Sequence, residues 1–295
     1  MRVLEIKRGQ KIILEECMKN ANYEAGKWKI TTIYCGHTYN LKGSLTVGLD
    51  DDLYLKIPYF AYLLQDGKQN ILIDCGINER FLIDGKAHGG YEANAGSKDF
   101  LSSLAKAGLK PDDIDLILYT HLHNDHAGNC NFFPNTKSIA QKDEWFNLLD
   151  PVFAETVRRD YDPGVIPFLQ NNKNFFTIEG DLEVMEGIRL ITTRGHTKGS
   201  QSVVVNSVNG LRLFIGDHFH LICSGFPYLD EMIDMDGVVH KITPAPANWP
   251  TIPSSLIYDF YAYYDSTKKI RSLIPGGDPS YLVCGHDAKV MFGEV

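Results

Sequence analysis

A short run of metal-ligand side chains constrains this chain more than any other feature. Residues 120–129 contain His121, His123, Asp125 and His126, directly after the apolar run 114–119, which predicts a buried strand. Imidazole and carboxylate groups together suit zinc, iron, manganese or cobalt. The whole chain has only 10 histidines in 295 residues, so a chance cluster in a polar loop is the weaker alternative. The run therefore predicts a loop that presents metal ligands at the end of a strand.

Three further ligand candidates follow predicted strands in the second half of the chain. His196 lies in a glycine-bounded turn at 195–200, Asp217 ends the run 211–216, and His286 follows the run 281–284. A carboxylate can bridge two metal ions, which a neutral histidine cannot. Each residue alone is more typical of an ordinary loop. Together they match the way a site is assembled from loops that are distant in sequence.

Asp74 interrupts the apolar run 71–75 just before a glycine. One interpretation is an aspartate that caps the turn after a strand. The other is a carboxylate that orients a metal-bound histidine through its second ring nitrogen. The metal-ligand run downstream favours the second interpretation.

The remaining sequence predicts alternating strands, helices and turns. Strands are expected at 28–35, 57–64, 71–76, 114–119, 136–140, 201–206 and 211–216, with 174–193 as a run of antiparallel strands. Helices are expected at 97–108, with Ser97 as the N-cap, at 142–149 and at 254–273. Loops are expected at 36–52 and 77–96, and a loop or short helix at 161–174. The proline-rich segment 221–254 is either a lid or a stiff surface loop.

Composition excludes several classes of function. The chain has 29 Lys+Arg against 37 Asp+Glu, a net charge of −8, and no basic run, which argues against nucleic-acid binding. It contains no apolar run of about 18 residues, so no membrane span is expected. The N-terminus lacks a signal-peptide core, and the six cysteines are scattered without close pairs. We therefore expect reduced thiols and a cytoplasmic location.

The motifs HxHxDH, GHTxGS, GD and GH occur in this order and resemble the metallo-β-lactamase superfamily. The resemblance implies an αββα sandwich, in which two mixed β-sheets face each other with helices outside. It implies one domain over residues 1–295, with 1–55 as an N-terminal extension packed on it and 221–254 as a lid or insert. It also implies two metal sites: His121, His123 and His196 at the first, Asp125, His126 and His286 at the second, Asp217 bridging them, and Asp74 supporting a ligand.

Within the superfamily, the chain is most similar to the N-acyl-homoserine lactone hydrolases. The similarity lies in residues 58–64, 72–76, 121–128, 195–202 and 285–287. The commonest di-zinc β-lactamases have a cysteine in place of Asp217 and lack His126. Glyoxalase II enzymes carry a C-terminal helical domain, whereas nine residues follow His286 here. Nuclease members carry an inserted domain and a basic surface, neither of which is expected.

One position departs from the lactonase pattern. Those enzymes place a tyrosine three residues after the bridging aspartate, and this chain has His220 there. A histidine could donate the same hydrogen bond and also carry a proton, or it could indicate a different substrate. Asp125 and His220 are therefore the catalytic candidates. Tyr59, Phe60 and Phe219 are candidates for an apolar pocket wall, with simple core packing as the alternative.

The resemblance implies hydrolysis of a lactone by a hydroxide that two divalent ions share. Such ions lower the pKa of bound water from 15.7 to about 7 and stabilise the oxyanion. Hydrolysis of another ester or of a thioester, as in glyoxalase II, is the alternative, and a non-hydrolytic di-iron redox domain or a metal-free relic is less favoured. Zinc is the default metal, with iron, manganese or cobalt as alternatives. A small-molecule substrate is expected, and a homodimer is left open.

Overall fold

The first β-sheet carries the loop with the metal-ligand run. A computed structural model describes residues 26–293 of the chain. The strands of this sheet are β1 (Lys29–Leu41), β2 (Tyr54–Gln65), β3 (Asn70–Ile73), β4 (Ala93–Ala95), β5 (Leu116–Leu118), β6 (Lys137–Gln141) and β7 (Phe175–Ile178). They lie in the order β4-β1-β2-β3-β5-β6-β7. The pairs from β3 to β7 are parallel, and the other pairs are antiparallel.

The second sheet brings three strand ends to one edge. Its strands are β8 (Leu182–Met185), β9 (Ile188–Thr192), β10 (Gln201–Ser207), β11 (Gly210–Phe214) and β14 (Leu282–Val283). They lie in the order β14-β11-β10-β9-β8. The pair of β11 and β14 is parallel, and the other neighbouring pairs are antiparallel. Since β10 is antiparallel to both β9 and β11, the strands β9, β11 and β14 run in the same direction. Their C-terminal ends, which precede the predicted ligands, therefore lie on one side.

Both faces of β2 are buried, because alternate side chains of a strand point to opposite faces. Phe60 and Tyr62 point between the two sheets, where they pack with Val203 and Phe214 of the second sheet. The rings of Tyr62 and Phe214 lie 4.7 Å apart. Neighbouring β2 residues such as Leu63 point to the opposite, outer face of the first sheet. The continuous apolar run of this strand is thus explained by a sheet covered on both sides.

The described residues form eight α-helices, several of which cover the outer faces of the two sheets. They are α1 (Lys42–Leu45), α2 (Ser97–Lys106), α3 (Asn124–Ala127), α4 (Lys142–Leu149), α5 (Phe153–Arg158), α6 (Ile166–Asn171), α7 (Ile222–Gly225) and α8 (Phe260–Leu273). Phe100 and Leu104 of α2 pack on the first sheet, and Tyr263 and Ile270 of α8 pack on the second. The layers are helix, sheet, sheet and helix, so the predicted αββα sandwich is confirmed.

The predicted loop at 36–40 is wrong, because β1 continues through it to Leu41. The strand bulges between Tyr34 and Gly36 and then pairs with both β2 and β4. Gly36 has φ +116°, and a Cβ there would lie 2.3 Å from the Cα of Ala95. The glycine therefore permits a bulge inside a strand rather than a turn that ends it.

Other boundaries also differ from the predictions. Strand β7 pairs in parallel with β6 in the first sheet, so the run 174–193 is not wholly antiparallel. Helix α5 was not predicted. Helix α8 begins at Phe260 rather than 254, because Asp259 caps the backbone N–H groups of Tyr261 and Ala262. Gly96, not Ser97, is the N-cap of α2.

The segment 221–254 folds against the N-terminal part of the described chain. It contains α7 and a hairpin of β12 (Glu231–Ile233) and β13 (Val239–Lys241). Its buried apolar residues pack with those of α1 and β2 in a small separate cluster of Leu45, Leu55, Ile57, Leu221, Cys223, Met232 and Ile242. Of the predicted extension 1–55, residues 1–25 lie outside the described residues, and β1 lies inside the first sheet. No helix within residues 26–293 is long and apolar enough to cross a membrane.

Candidate metal centre

The predicted ligands converge at one edge of the sandwich from both sheets. The first sheet supplies His121 and His123 from the loop after β5, and the following helix α3 supplies Asp125 and His126. The second sheet supplies His196 after β9, Asp217 after β11 and His286 after β14. All seven residues are buried, with at most 5% of their surface exposed. The ligand run and the three isolated candidates are therefore brought together as the sequence predicts.

His121, His123 and His196 form a group that we call the three-histidine cluster. One ligand-type atom of each lies within 4.8 Å of those of the other two. Nε2 of His196 is 3.2 Å from Nδ1 of His123. A tetrahedral ion with bonds of about 2.0–2.1 Å holds its ligand atoms about 3.4 Å apart. The spacing of the imidazoles therefore suits one such ion.

Asp125, His126, Asp217 and His286 form a second group, the mixed cluster. Nε2 of His286 is 3.1 Å from Oδ2 of Asp217 and 3.5 Å from Oδ2 of Asp125. Nε2 of His126 is 3.3 Å from Oδ1 of Asp217. With two carboxylates among four ligand candidates, this cluster offers a second cation more negative charge than the three-histidine cluster does.

Asp217 lies between the two clusters. Its Oδ2 is 3.7 Å from Nε2 of His196, while its Oδ1 faces His126. Gly285 makes room for this carboxylate, since a Cβ at that position would lie 1.9 Å from Oδ1 of Asp217. The glycine before His286 is therefore required by close packing, and the geometry agrees with a carboxylate shared by two ions.

Asp74 lies behind the mixed cluster and holds the loop after β5. It adopts φ +59° at the end of β3. Its Oδ1 accepts a hydrogen bond from the backbone N–H of Thr120 at 2.7 Å, and its Oδ2 accepts from the Thr120 hydroxyl at 2.7 Å. Oδ2 is also 2.7 Å from Nδ1 of His126. Nε2 of that ring is thereby left to face the cluster, as in other metal sites where a carboxylate orients a histidine ligand.

Burial and neighbouring charges together shift the pKa of histidines in opposite directions in the two clusters. Burial lowers the pKa of His121 and His196 well below the usual value, and neighbouring imidazoles add to the effect. Burial also acts to lower the pKa of His126, but the carboxylates of Asp217 and Asp125 outweigh it and raise that pKa well above its usual value. His121 and His196 are thus neutral, the form of imidazole that binds metal. The carboxylates of the mixed cluster attract a cation.

The residues present fit two divalent ions. Nε2 of His121 is buried and makes no hydrogen bond with any described residue. A buried polar atom without a partner costs about 1–3 kcal/mol, which a metal bond would offset. The donor set of imidazoles and carboxylates is also the one expected for zinc or a similar transition metal. One ion fits each cluster, with Asp217 between them.

His220 adjoins both clusters. Its ring stacks on His286 with the centroids 5.6 Å apart, and its Nε2 is 3.4 Å from Oδ2 of Asp217. That Nε2 is buried and makes no hydrogen bond within residues 26–293. Burial lowers the pKa of His220 to about 4, so its ring is neutral at neutral pH. A neutral ring there can donate one N–H into the site.

The three pocket-wall candidates lie in three different parts of the core. Tyr59 is on the outer face of the first sheet, Phe60 lies between the sheets, and Phe219 packs beneath α8. Of the three, Tyr59 packs its ring against a ligand candidate, with its centroid 5.6 Å from that of His286. The structure does not bring these three aromatic residues together, and their role as pocket walls stays a prediction.

Sequence reasoning missed Glu144, which lies next to the three-histidine cluster. It is in the first turn of α4 with none of its surface exposed, and it accepts hydrogen bonds from the loops that carry His121, His123 and His196. In sequence it follows Lys142 and Asp143 at the start of a short helix. Without the fold, that glutamate is indistinguishable from an acidic residue in a solvent-exposed first helical turn.

Sequence relatives of the chain include named lactonases. An N-acyl homoserine lactonase of Bacillus cereus is 33% identical over 161 residues, which make up 52% of this chain and 60% of that protein. N-acyl homoserine lactonase AttM of Rhizobium radiobacter is 27% identical over 199 residues, 62% of this chain and 71% of that protein. The chain thus matches less than two thirds of the length of the Bacillus relative.

Solved structures share the fold. An N-acyl homoserine lactone hydrolase with the product N-hexanoyl-L-homoserine at its catalytic metal centre aligns with a TM-score of 0.69 and 24% identity, over 90% of this chain and 95% of that chain. The dizinc quorum-quenching lactonase AidC aligns with a TM-score of 0.65 and 17% identity, over 89% of this chain and 88% of that chain. The model of one family, the metallo-beta-lactamase superfamily, matches residues 56–286, which is more than half of the chain. The chain therefore belongs to the metallo-beta-lactamase superfamily.

Proposed function

We propose that this protein is a metal-dependent hydrolase that opens lactone rings of the N-acyl-homoserine lactone type. The observation that carries the proposal is the convergence of seven buried ligand-type side chains, with Asp217 between the two clusters. A site of this kind can activate water without a serine or cysteine nucleophile. The named lactonases among the relatives and the product-bound hydrolase with the same fold support the choice of substrate class.

The proposed roles follow from the two clusters. One ion would be held by His121, His123 and His196, and the other by Asp125, His126 and His286. Asp217 would bind both ions. Two ions held there would supply Lewis acidity, which activates water and polarises an ester carbonyl. Asp74 keeps the ring of His126 in its ligand orientation. His220 directs its N–H toward the space beside Asp217, where it would stabilise the leaving oxygen of the opened ring. Asp125 is the group proposed to return a proton to that oxygen.

Zinc is the proposed metal, because the spacing of the imidazoles suits tetrahedral ligation and AidC, which shares the fold, is a dizinc enzyme. Iron, manganese or cobalt would use the same ligands. Hydrolysis of another ester or of a thioester is the second candidate, favoured by His220 at the position where lactonases carry a tyrosine. The cytoplasmic location, the absence of nucleic-acid binding and the homodimer stay predictions from the sequence.

The test is a substrate panel on purified protein loaded with each candidate metal. N-acyl homoserine lactones of several chain lengths, simple lactones, aryl esters and a glutathione thioester would be compared under the same conditions. We expect the highest kcat/KM on a lactone, with about two metal ions per chain by elemental analysis. Asp217→Asn should lose most of the activity. His240→Gln, at a partly exposed histidine of β13 that pairs with Asp234 outside both clusters, is the control.

The outcomes separate the candidates. Faster cleavage of the thioester or aryl ester than of every lactone would replace the lactonase proposal by the second candidate. A protein that holds two ions and cleaves none of the substrates would contradict hydrolysis of carboxylic esters altogether. Fewer than one ion per wild-type chain after loading would contradict the metal site itself.

A further inference from the structure

Glu144 is a buried carboxylate that none of the proposed roles uses. It accepts four hydrogen bonds. Its Oε1 accepts from the backbone N–H of Leu122 and from the Tyr161 hydroxyl, each at 2.9 Å. Its Oε2 accepts from the Thr197 hydroxyl at 2.5 Å and from the backbone N–H of Gly199 at 3.1 Å. All four donors belong to loops or residues that touch the three-histidine cluster.

The Oε1 side fixes the first two histidines. Leu122 lies between His121 and His123, so a hydrogen bond to its N–H holds the backbone from which both imidazoles project. Tyr161 presents its ring to His123 at a centroid distance of 4.7 Å and an interplanar angle of 74°. Oε1 therefore anchors the loop of the two histidines and also the aromatic side chain that packs on one of them.

The Oε2 side fixes the third histidine. Thr197 and Gly199 follow His196 in the turn after β9, and both donate to Oε2. The turn lies directly on the start of α4, because a Cβ at Gly199 would lie 2.1 Å from the backbone N of Glu144. The close approach is a second observation, independent of the hydrogen bonds, that places the turn of His196 against this helix.

The four partners of Glu144 match the acceptor sites of a carboxylate. An ionised carboxylate offers about four acceptor sites, whereas a protonated one directs its own O–H toward one of its neighbours. The backbone N–H groups of Leu122 and Gly199 place one fixed donor on each oxygen, and the ionised form can accept all four hydrogen bonds. Burial raises the pKa of Glu144, and the hydrogen bonds from Thr197, Leu122, Tyr161 and Gly199 oppose that effect.

We propose that Glu144 is the positioning residue of the three-histidine cluster and acts selectively on the ion held there. It bridges the loop of the first sheet to the turn of the second and fixes all three imidazoles through their backbones. Asp74 is its counterpart on the other side, where it fixes His126 of the mixed cluster. The inference rests on the proposed two-metal site. It adds that the two ions depend on two different buried carboxylates.

Glu144→Gln tests the proposal, because the amide keeps the shape but turns an NH₂ group toward two of the four donors. We expect the ion of the three-histidine cluster to bind about 10–100-fold more weakly, as for other residues that support ligands. At limiting metal, the variant should retain about one ion per chain, held by the mixed cluster. X-ray absorption of that ion should accordingly report carboxylate as well as imidazole ligands.

Two comparison variants make the test specific. Asp74→Asn should give the converse result, with one retained ion whose ligands are mainly imidazole. Asp234→Asn is the control for loss of a hydrogen-bonded carboxyl, since the Asp234 side chain is 12% exposed and accepts from the backbone N–H groups of Asp236 and Val238 in the β12–β13 hairpin, not from the histidine loops. It should keep two ions per chain.

The outcomes are distinguishable from failure of the metal site. If the wild type binds two ions and Glu144→Gln also binds two with unchanged affinity, the proposal for Glu144 is overturned. Equal weakening of both ions would overturn it as well, since that indicates a general loss of structure. If Glu144→Gln does not fold, Tyr161→Phe and Thr197→Val each remove one donor. Each should then weaken the same ion, and unchanged affinity in both would overturn the proposal.

Discussion

At the scale of single residues, His220 is where the chain departs from the lactonase pattern, and its surroundings define what it can do. Its buried Nε2 faces Asp217 at 3.4 Å, and burial lowers the pKa of the ring to about 4. A ring that is neutral at neutral pH offers a hydrogen-bond donor but no stored proton. It is therefore suited to stabilising a negative oxygen rather than to acting as a strong general acid.

We accordingly predict that His220→Phe lowers kcat by about 10²–10³-fold, the usual cost of removing one oxyanion donor. Metal content should stay the same, which elemental analysis checks. His220→Tyr restores a donor and should recover part of the loss on lactones. A kcat for His220→Phe equal to that of the wild type would remove His220 from the proposed mechanism. His240→Gln again serves as the control for loss of a histidine.

The ligand residues were predictable from sequence because their spacing is local and their chemistry is distinctive. The run at 121–126 contains four ligand candidates in six residues, and His196 and His286 adjoin glycines that allow close packing. Glu144 was not predictable, because its function depends on four donors from distant parts of the chain. A residue whose partners are all long-range carries no local signal of its own.

At the scale of elements, α1 and the segment 221–254 are joined through one carboxylate. Asp50 forms an ion pair with Lys42 at 2.8 Å, and Lys42 has only 1% of its side chain exposed. Asp50 also accepts from the hydroxyl of Thr243 at 2.6 Å. Burial alone would raise the pKa of Asp50, but the bonds from Lys42 and Thr243 outweigh it and lower that pKa. This network fixes the segment 221–254, which follows His220, against α1 and the loop after it.

We predict that Asp50→Asn lowers the free energy of unfolding at pH 7 by about 3 kcal/mol, because it leaves Lys42 buried without a counter-charge. A carboxyl group whose pKa is depressed on folding stabilises the protein above its unfolded pKa, near 3.9 for aspartate. The contribution is lost as the pH falls through the lower, folded pKa. Urea unfolding of both proteins across this pH range measures the difference. A difference that is as large well below pH 3.9 as at pH 7 would contradict the assignment.

Elements with strong periodicity were predicted well, and those shaped by distant partners were not. Helix α4 has the predicted bounds, and the hairpin of β10 and β11 lies where its Asn209–Gly210 turn places it. Strand β1 was predicted too short, because pairing with β2 and β4 overrides the turn signal of Gly36. Strand β7 joins β6 rather than β8, a choice that depends on sheet order and not on the composition of the strand.

At the scale of the whole molecule, metal binding and stability are linked. The seven ligand candidates are buried, and without cations the carboxylates of Asp125 and Asp217 depend on histidines for compensation. A ligand that binds only the folded state stabilises it by mass action, by about 4 kcal/mol at a thousandfold excess over its Kd. The folded protein should therefore be more stable with metal than without it.

We predict that chelation lowers the unfolding temperature by about 8–16 °C and that added zinc restores it, since each kcal/mol corresponds to about 2–4 °C in domains of roughly 150–250 residues. Differential scanning calorimetry with and without a chelator measures the shift. Asp217→Asn should respond much less, because one shared ligand is lost. An unfolding temperature that is independent of metal would contradict selective binding to the folded state.

Because His121 and His123 come from the first sheet and His196 from the second, neither sheet alone can complete the three-histidine cluster. The nascent chain reaches His196 only after most of the first sheet has been synthesised. Capture of this ion should then be a late event in folding, coupled to the docking of the two sheets rather than to formation of either one. A stopped-flow experiment with a metal indicator would follow that docking step directly. Metal uptake at this cluster would therefore mark the moment at which the two sheets dock.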